Sequence, residues 1–225
     1  MTNIERHYTW DVLDSSKLTT YMDCPRRYFW EYVLSWRSDA PNNHLVFGTA
    51  YHDAMEHLLL NGYDDDSVMA AFDKFLVSYR EHFPATSDEL YSPKTPENCL
   101  AALGLYCERY QRDLTEFEAL YTEIAGTVPI NDDQKLHFRL DSICKDDQGR
   151  IFSLEHKTGS RMSRFWTDQW QMAVAVGTYT HVMNCLYDPA TVWGVKINGT
   201  FFAKRKIDFL RVPVRKTLSH MKAWL

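Results

Sequence analysis

LDSICKDDQGRIFSLEHKTG, residues 140–159, decides how this chain folds. Strand-like residues lie on both sides of the turn-forming run Asp146-Asp147-Gln148-Gly149, so the stretch reads as two strands joined into a ribbon. Residues two apart on a strand face the same way, which projects Glu155 and Lys157 together and turns His156 away. A turn around Asp147–Gly149 brings Asp141 back towards Glu155. Two carboxylates and a main-chain carbonyl make a hard, oxygen-rich pocket suited to magnesium or manganese. An adjacent ammonium can orient or help deprotonate a water, and can stabilise charge building on a phosphate. Acid-x-Lys on a strand is also a common solvated ion pair. What favours the pocket here is RIFSL, an apolar run that delivers the pair from a buried strand, where uncompensated charge is costly.

Outward from the ribbon, LYTEIAGTVPI (120–130) and KLHFRLDSICK (135–145) read as strands, as do ATVWGVKING (190–199) and FFAKRKIDFLRVPV (201–214). FWTDQWQMAVAVGTYTHVMNCLY (165–187) has helical period throughout, and RKTLSHMKAWL (215–225) begins another helix. The first half is helical. SSKLTTYM (15–22) opens on a serine cap, and CPRRYFWEYVL (24–34) puts Pro25 at a first helical position. VFGTAYHDAMEHLLLNG (46–62) stops at Asn61-Gly62, DDSVMAAFDKFLVSYREHF (65–83) starts with acids, and PENCLAALGLYCERYQRDLTEF (96–117) is amphipathic. The order predicts an α/β protein, one domain over residues 1–225, with a helical N-terminal lobe over about 1–118 and a sheet-containing core over about 119–225.

Composition narrows the function classes. No stretch approaches the roughly 20 apolar residues that span a bilayer, and MTNIERHYTWD has no apolar leader core. The five cysteines, Cys24, Cys99, Cys107, Cys144 and Cys185, are scattered and form no C-x-x-C, which points away from a disulfide framework. The expectation is a soluble cytoplasmic protein without a membrane partner. The net charge of −5 conceals an asymmetry: residues 150–225 carry twelve Lys/Arg against four Asp/Glu. A basic C-terminal third suits a phosphate backbone, although strand edges are also protected by lysine and arginine.

The second chemical motif is FGTAYHDAMEH (47–57), in which Gly48, His52 and Glu56 recur every four residues and share one helix face. Imidazole beside two carboxylates favours manganese and other transition ions relative to magnesium. Read alone, the motif favours His52 as a capped or core-edge histidine and Glu56 as a solvated acid.

Taken in order, SSKLTTYMDCPRRYFWEYVL, FGTAYHDAMEHLL and LDSICKDDQGRIFSLEHKTG resemble the RecB-like branch of the PD-(D/E)XK nucleases, over roughly residues 15–200. That branch includes nuclease domains of bacterial recombination helicase–nucleases, CRISPR-associated adaptation exonucleases and phage proteins. The resemblance implies a restriction-endonuclease-like core, a mixed central sheet flanked by helices and completed by the 47–61 helix. It implies Mg2+ or Mn2+ as cofactor and DNA, as single strand or duplex ends, as partner. Under it, His52, Asp141 and Glu155 are metal ligands, with the main-chain carbonyl of His156 as a further one; Asp141, Glu155 and Lys157 are catalytic. Glu56 matches an acidic position of the histidine motif and Glu123 a glutamate on the first core strand, both supporting the ligands from behind. A further family motif, Q-x-x-x-Y, is altered here: four residues past Gln171 stands Ala175, and Tyr179 follows four later. Gln171 and Tyr179, two turns apart on one helix, are then expected to share DNA contact.

The other DNA-contact candidates are Arg26, Arg27, Arg161, Arg164, Lys204, Arg205 and Lys206, with Tyr28, Phe29, Trp30, Phe165 and Trp166 available for stacking on unpaired bases. Some relatives bind an iron–sulfur cluster through a cysteine placed like Cys24 and three clustered C-terminal cysteines. The C-terminal part here offers only Cys144 and Cys185, so a cluster lacks its ligand set and Cys24 is expected to pack as a small buried group. The leading expectation is a metal-dependent DNA exonuclease. The competing ones are a catalytically silent DNA-binding or assembly module with this fold and a structural helical protein with accidental motifs.

Overall fold

A computed structural model describes residues 7–225. Residues 1–6, which make up more than half of the segment read above as lacking a leader core, lie outside the described residues. In chain order the helices are α1 (Ser15–Asp23), α2 (Pro25–Tyr28), α3 (Asn43–Asn61), α4 (Asp65–Arg80), α5 (Pro96–Arg109), α6 (Asp113–Glu116), α7 (Arg164–Asp168), α8 (Val174–Leu186) and α9 (Leu218–Trp224). The strands are β1 (Val12–Leu13), β2 (Phe117–Pro129), β3 (Lys135–Asp146), β4 (Ile151–Gly159), β5 (Val192–Ala203) and β6 (Lys206–Val214).

The strands form one mixed sheet in the order β1-β3-β4-β5-β6, with β2 on the other side of β3. β2 runs antiparallel along most of β3, β4 and β5 are parallel, and β6 returns antiparallel to β5. Alternation on β5 divides the core. Val195 and Ile197 face α8 with Val176, Val182 and Met183, while Phe202 faces the helical half. On α3, Phe47, Ala50, Tyr51, Ala54, Met55 and Leu58 are buried, a continuous stripe at helical spacing. That stripe packs with Phe75 and Tyr79 of α4 and with Leu103 and Tyr106 of α5. Helices thus cover both faces of the sheet. No helix among the described residues is long and apolar enough to cross a membrane.

Three local expectations change. The cap of α1 is Asp14, whose carboxylate accepts from Lys17 N at 2.8 Å; the serines lie inside the helix. The 165–187 helix is broken: after α7 comes a 3-10 turn, Gln169–Gln171, and Ala173 is extended before α8 starts. Cys24 is exposed, not buried, because its sulfur caps α2 by accepting from Arg27 N at 3.4 Å.

Candidate active site

β3 and β4 pair only through Ile143–Lys145 and Ser153–Ile151, then part. Main-chain groups left without a ladder partner in that fork need other partners, and side chains supply them. The His156 amide donates to Asp141 Oδ2 at 2.7 Å, the Asp141 amide to Glu155 Oε1 at 3.3 Å, and the Ser142 hydroxyl to the Leu154 carbonyl at 2.9 Å. The E-x-K strand therefore does two things: it parts from its neighbour and holds the carboxylates in the opening.

Five elements converge there. α3 brings His52, whose Nδ1 stands 3.3 Å from Asp141 Oδ1. Lys157 Nζ lies 3.6 Å from Glu155 Oε2 and 3.9 Å from Asp141 Oδ2. β2 brings Glu123, which the register Thr122–Ser142 and Ile124–Leu140 sets opposite Asp141. One ligand atom each from His52, Glu123 and Asp141 lie within 4.8 Å of one another. Glu123 has a left-handed backbone, with φ +46°, a conformation side chains rarely adopt and one found disproportionately at functional sites. From α8, Tyr179 faces the same carboxylates.

The electrostatics are unbalanced. Burial, reinforced by the negative charge of Asp141, pushes the Glu155 carboxyl up to about 7, and Lys157 only partly opposes this. Burial would raise Asp141 as well, yet the charges of Lys157 and His52 hold its carboxyl below the usual range. Burial works against protonated His52, but Asp141 outweighs it and raises the imidazole. Burial, then Glu155 and Asp141, pushes the Tyr179 phenol well above its ordinary value. Glu155 Oε1 accepts from the Ser153 hydroxyl at 2.6 Å, while the fully buried Oε2 has no hydrogen-bond partner. An orphaned buried carboxylate oxygen is costly unless a cation meets it. With an imidazole and two further carboxylates nearby, the donor set fits a hard or borderline divalent ion.

The remaining expected residues are dispersed. Glu56 lies one turn from His52, half-buried and outside the three-residue cluster. The His156 ring points to the opposite face, where burial pushes it down to about 3, so it is neutral. Gln171 sits in the 3-10 turn, its carbonyl accepting from Lys216; the helix break separates it from Tyr179, and the two do not share a helix face. Arg27 pairs with Glu31 at 2.6 Å and Arg164 with Asp168 at 3.2 Å. Lys204 and Arg205 form the exposed β5–β6 turn, and Lys206 pairs with Asp208 at 2.7 Å. Arg161 and Lys206 line a common cavity of about 210 Å³ at the end of β4, and Arg26 is exposed.

Sequence reasoning missed Ser153 and Arg139 beside the carboxylates, and a buried lysine on the other face of β4. Ser153 and Arg139 stand two residues before Glu155 and Asp141, so the strand period that paired Glu155 with Lys157 also reaches them. Arg139 Nη2 lies 2.6 Å from Glu123 Oε2. Lys94 is buried, with its ammonium donating to Thr158 Oγ1 at 3.0 Å, and no spacing in YSPKTPEN announces it.

The sequence model of the PD-(D/E)XK nuclease superfamily matches residues 15–202, and the chain belongs to that superfamily. It is in general terms a metal-dependent nuclease of DNA, on a mixed sheet flanked by helices as restriction-endonuclease-like folds have it. Members use divalent metals, typically Mg2+ or Mn2+. No curated protein sequence matches the chain. A solved chain titled "Crystal structure of SSO0001" is similar to it, at 14% identity over 78% of this chain and 81% of that one, with a TM-score of 0.33.

Proposed function

We propose that this protein is an exonuclease that hydrolyses phosphodiester bonds from DNA ends in the cytoplasm, as a RecB-like member of its superfamily. One observation carries the reading: Asp141, Glu155, Lys157 and His52, from three separated segments, meet in the β3–β4 fork around a buried carboxylate oxygen that nothing hydrogen-bonds. The order of the histidine and E-x-K motifs supports the RecB-like assignment and, with it, the preference for ends.

Asp141, Glu155, His52 and the His156 carbonyl would hold the metal, with Glu123 beside them. When bound, a divalent cation supplies charge neutralisation at the phosphate and a more acidic water. The chain's own groups do the rest. Lys157 Nζ lies beside both carboxylates and donates to the attacking water or to a phosphate oxygen. Without metal, burial and the charge of Asp141 raise Glu155 to about 7, so it gives up its proton as a cation binds. Asp141 is held by the His156 amide, so its orientation does not depend on substrate.

The test is degradation of linear and closed circular DNA with Mg2+ or Mn2+, by wild type and Lys157→Ala. Linear DNA should be consumed and circular DNA spared, and Lys157→Ala should lose about 10²- to 10⁴-fold in rate. Binding without any cutting would make the protein a silent module, and cutting of circles would make it an endonuclease.

A further inference from the structure

A cavity of about 400 Å³ opens between the N-terminal helices and β3, and it adjoins the carboxylate fork on two sides. Arg139, on one wall, pairs with Glu123; Tyr179, on another, faces Glu155 and Asp141. Its floor is the stretch His137-Phe138-Arg139 of β3, which lies beyond the pairing with β4, so that side chains from both faces of the strand reach it. Arg139 stands two residues before Asp141 and points the cavity towards the fork.

The opposite wall is Tyr32 and Arg37. Beyond the π-helical turn Phe29–Val33, Ser35 takes a left-handed backbone with φ +57°. The Trp36 amide donates to the Trp30 carbonyl at 2.9 Å and the two indole rings sit 4.7 Å apart, which pins the reversal. The result lays the Arg37 guanidinium over the Tyr32 ring, 4.9 Å from its centre. Arg37 makes no ion pair among the described residues. Asp14, the acid on this wall, is engaged as the cap of α1.

We infer that this cavity is a subsite for one unpaired nucleotide of a DNA strand, flanking the phosphate to be cut, with the Arg37 guanidinium, held flat on the Tyr32 ring, stacking on the base and Arg139 and His137 facing the backbone. Aromatic rings interleaved with basic groups are how proteins hold single strands without reading sequence. A volume of this size takes a ligand of drug or nucleotide size. A stacked duplex does not enter it. The assignment rests on the hydrolase reading of the adjoining fork and adds a strand preference to it. It also moves the expected contacts from Arg26 and Arg27 to Arg37 and Tyr32.

The experiment is fluorescence anisotropy with the full chain in EDTA, where nothing is cut, using a fluorescein-labelled oligothymidylate and a blunt hairpin duplex. Wild type should bind the single strand more tightly than the hairpin. Tyr32→Ala and Arg37→Gln should each weaken single-strand binding about tenfold and leave hairpin binding unchanged. Tyr32→Phe should bind as wild type, since it keeps the ring. Arg37 is exposed, so its variant tests the subsite without disturbing the core. Equal affinity for strand and hairpin, or variants that bind the strand as wild type does, would overturn the subsite. Cleavage of linear DNA is scored separately. Cutting with no Tyr32 dependence sinks the subsite alone, and Tyr32-dependent binding with no cutting under any metal sinks the hydrolase reading alone.

Discussion

Strand β4 carries charged or polar clusters on both faces, and they are built differently. On the face away from the fork, Arg211 makes two hydrogen bonds of 2.7 Å to Asp113, donates to Asn198 Oδ1 at 3.3 Å and to Tyr106 Oη at 3.2 Å, and stacks 4.2 Å from the centre of the Tyr110 ring. Asn198 in turn contacts the neutral His156 ring at 3.2 Å. In the fork, Lys157 stands at 3.6 and 3.9 Å from two carboxylates, His52 at 3.3 Å from one, and Glu155 keeps an unbonded oxygen. In the first cluster the Arg211 and Asp113 charges match each other through a short bidentate pair, and the one unbonded buried atom, His156 Nε2, belongs to a neutral ring. The second has more negative groups than its cations satisfy. Buried ions that are fully paired serve the fold; those left short of partners are arranged for something that arrives.

The contrast breaks if the two clusters respond alike to substitution. The largest effect belongs to the fork. Asp141→Ala should abolish DNA cleavage, by about 10³-fold or more, while the melting temperature changes little, because loss of the bond from the His156 amide is offset by relief of the repulsion on Glu155. Equal activity would remove Asp141 from the site. Arg211→Ala should do the reverse. Leaving Asp113 buried and unpaired costs about 3 kcal/mol, which lowers the melting temperature by roughly 6–12 °C. Cleavage per folded molecule should stay within about threefold of wild type. A stable Arg211→Ala protein without activity would put the closed cluster in the chemistry.

Two smaller effects sharpen the description of the fork. His52→Ala should weaken manganese-supported cleavage by about 10- to 100-fold and magnesium-supported cleavage less. A loss confined to magnesium would argue against a nitrogen ligand. Metal affinity should also fall as pH falls. Burial and Asp141 raise the Glu155 carboxyl to about 7, so below that pH it is protonated and must lose its proton for metal to bind. His52, raised above its ordinary value by Asp141 against the pull of burial, must do likewise. Calorimetry in buffers of different ionisation enthalpy should show about one to two protons released per Mn2+ at pH 6 and close to none at pH 9. Proton release that does not vary with pH would mean that neither group meets the metal.

Local pattern was enough for much of this architecture. The period of two around the 146–149 turn shows that Glu155 and Lys157 share a face, and the helical spacing of FGTAYHDAMEH shows that Gly48, His52 and Glu56 share another. What stayed hidden depends on partners far along the chain. The break before Val174 is invisible in a stretch whose apolar spacing continues through it, so Gln171 and Tyr179 look like neighbours when only Tyr179 faces the carboxylates. Glu123 was expected to act from behind the ligands; cross-strand register places it opposite Asp141. Cys24 reads as a core residue by type, yet the preference of helix ends for a capping group put it at the surface. Tyr32 and Arg37 form a wall only because the chain reverses at Ser35, a residue with no compositional mark.

The central claim is that the fork holds a divalent cation between α3 and the E-x-K strand. Anomalous scattering from crystals grown with Mn2+ tests it most directly. The account predicts one strong peak at ligand distance, about 2.0–2.3 Å, from His52 and the carboxylates of Asp141 and Glu155. A peak bound elsewhere, with Glu155 Oε2 still unligated, would contradict it.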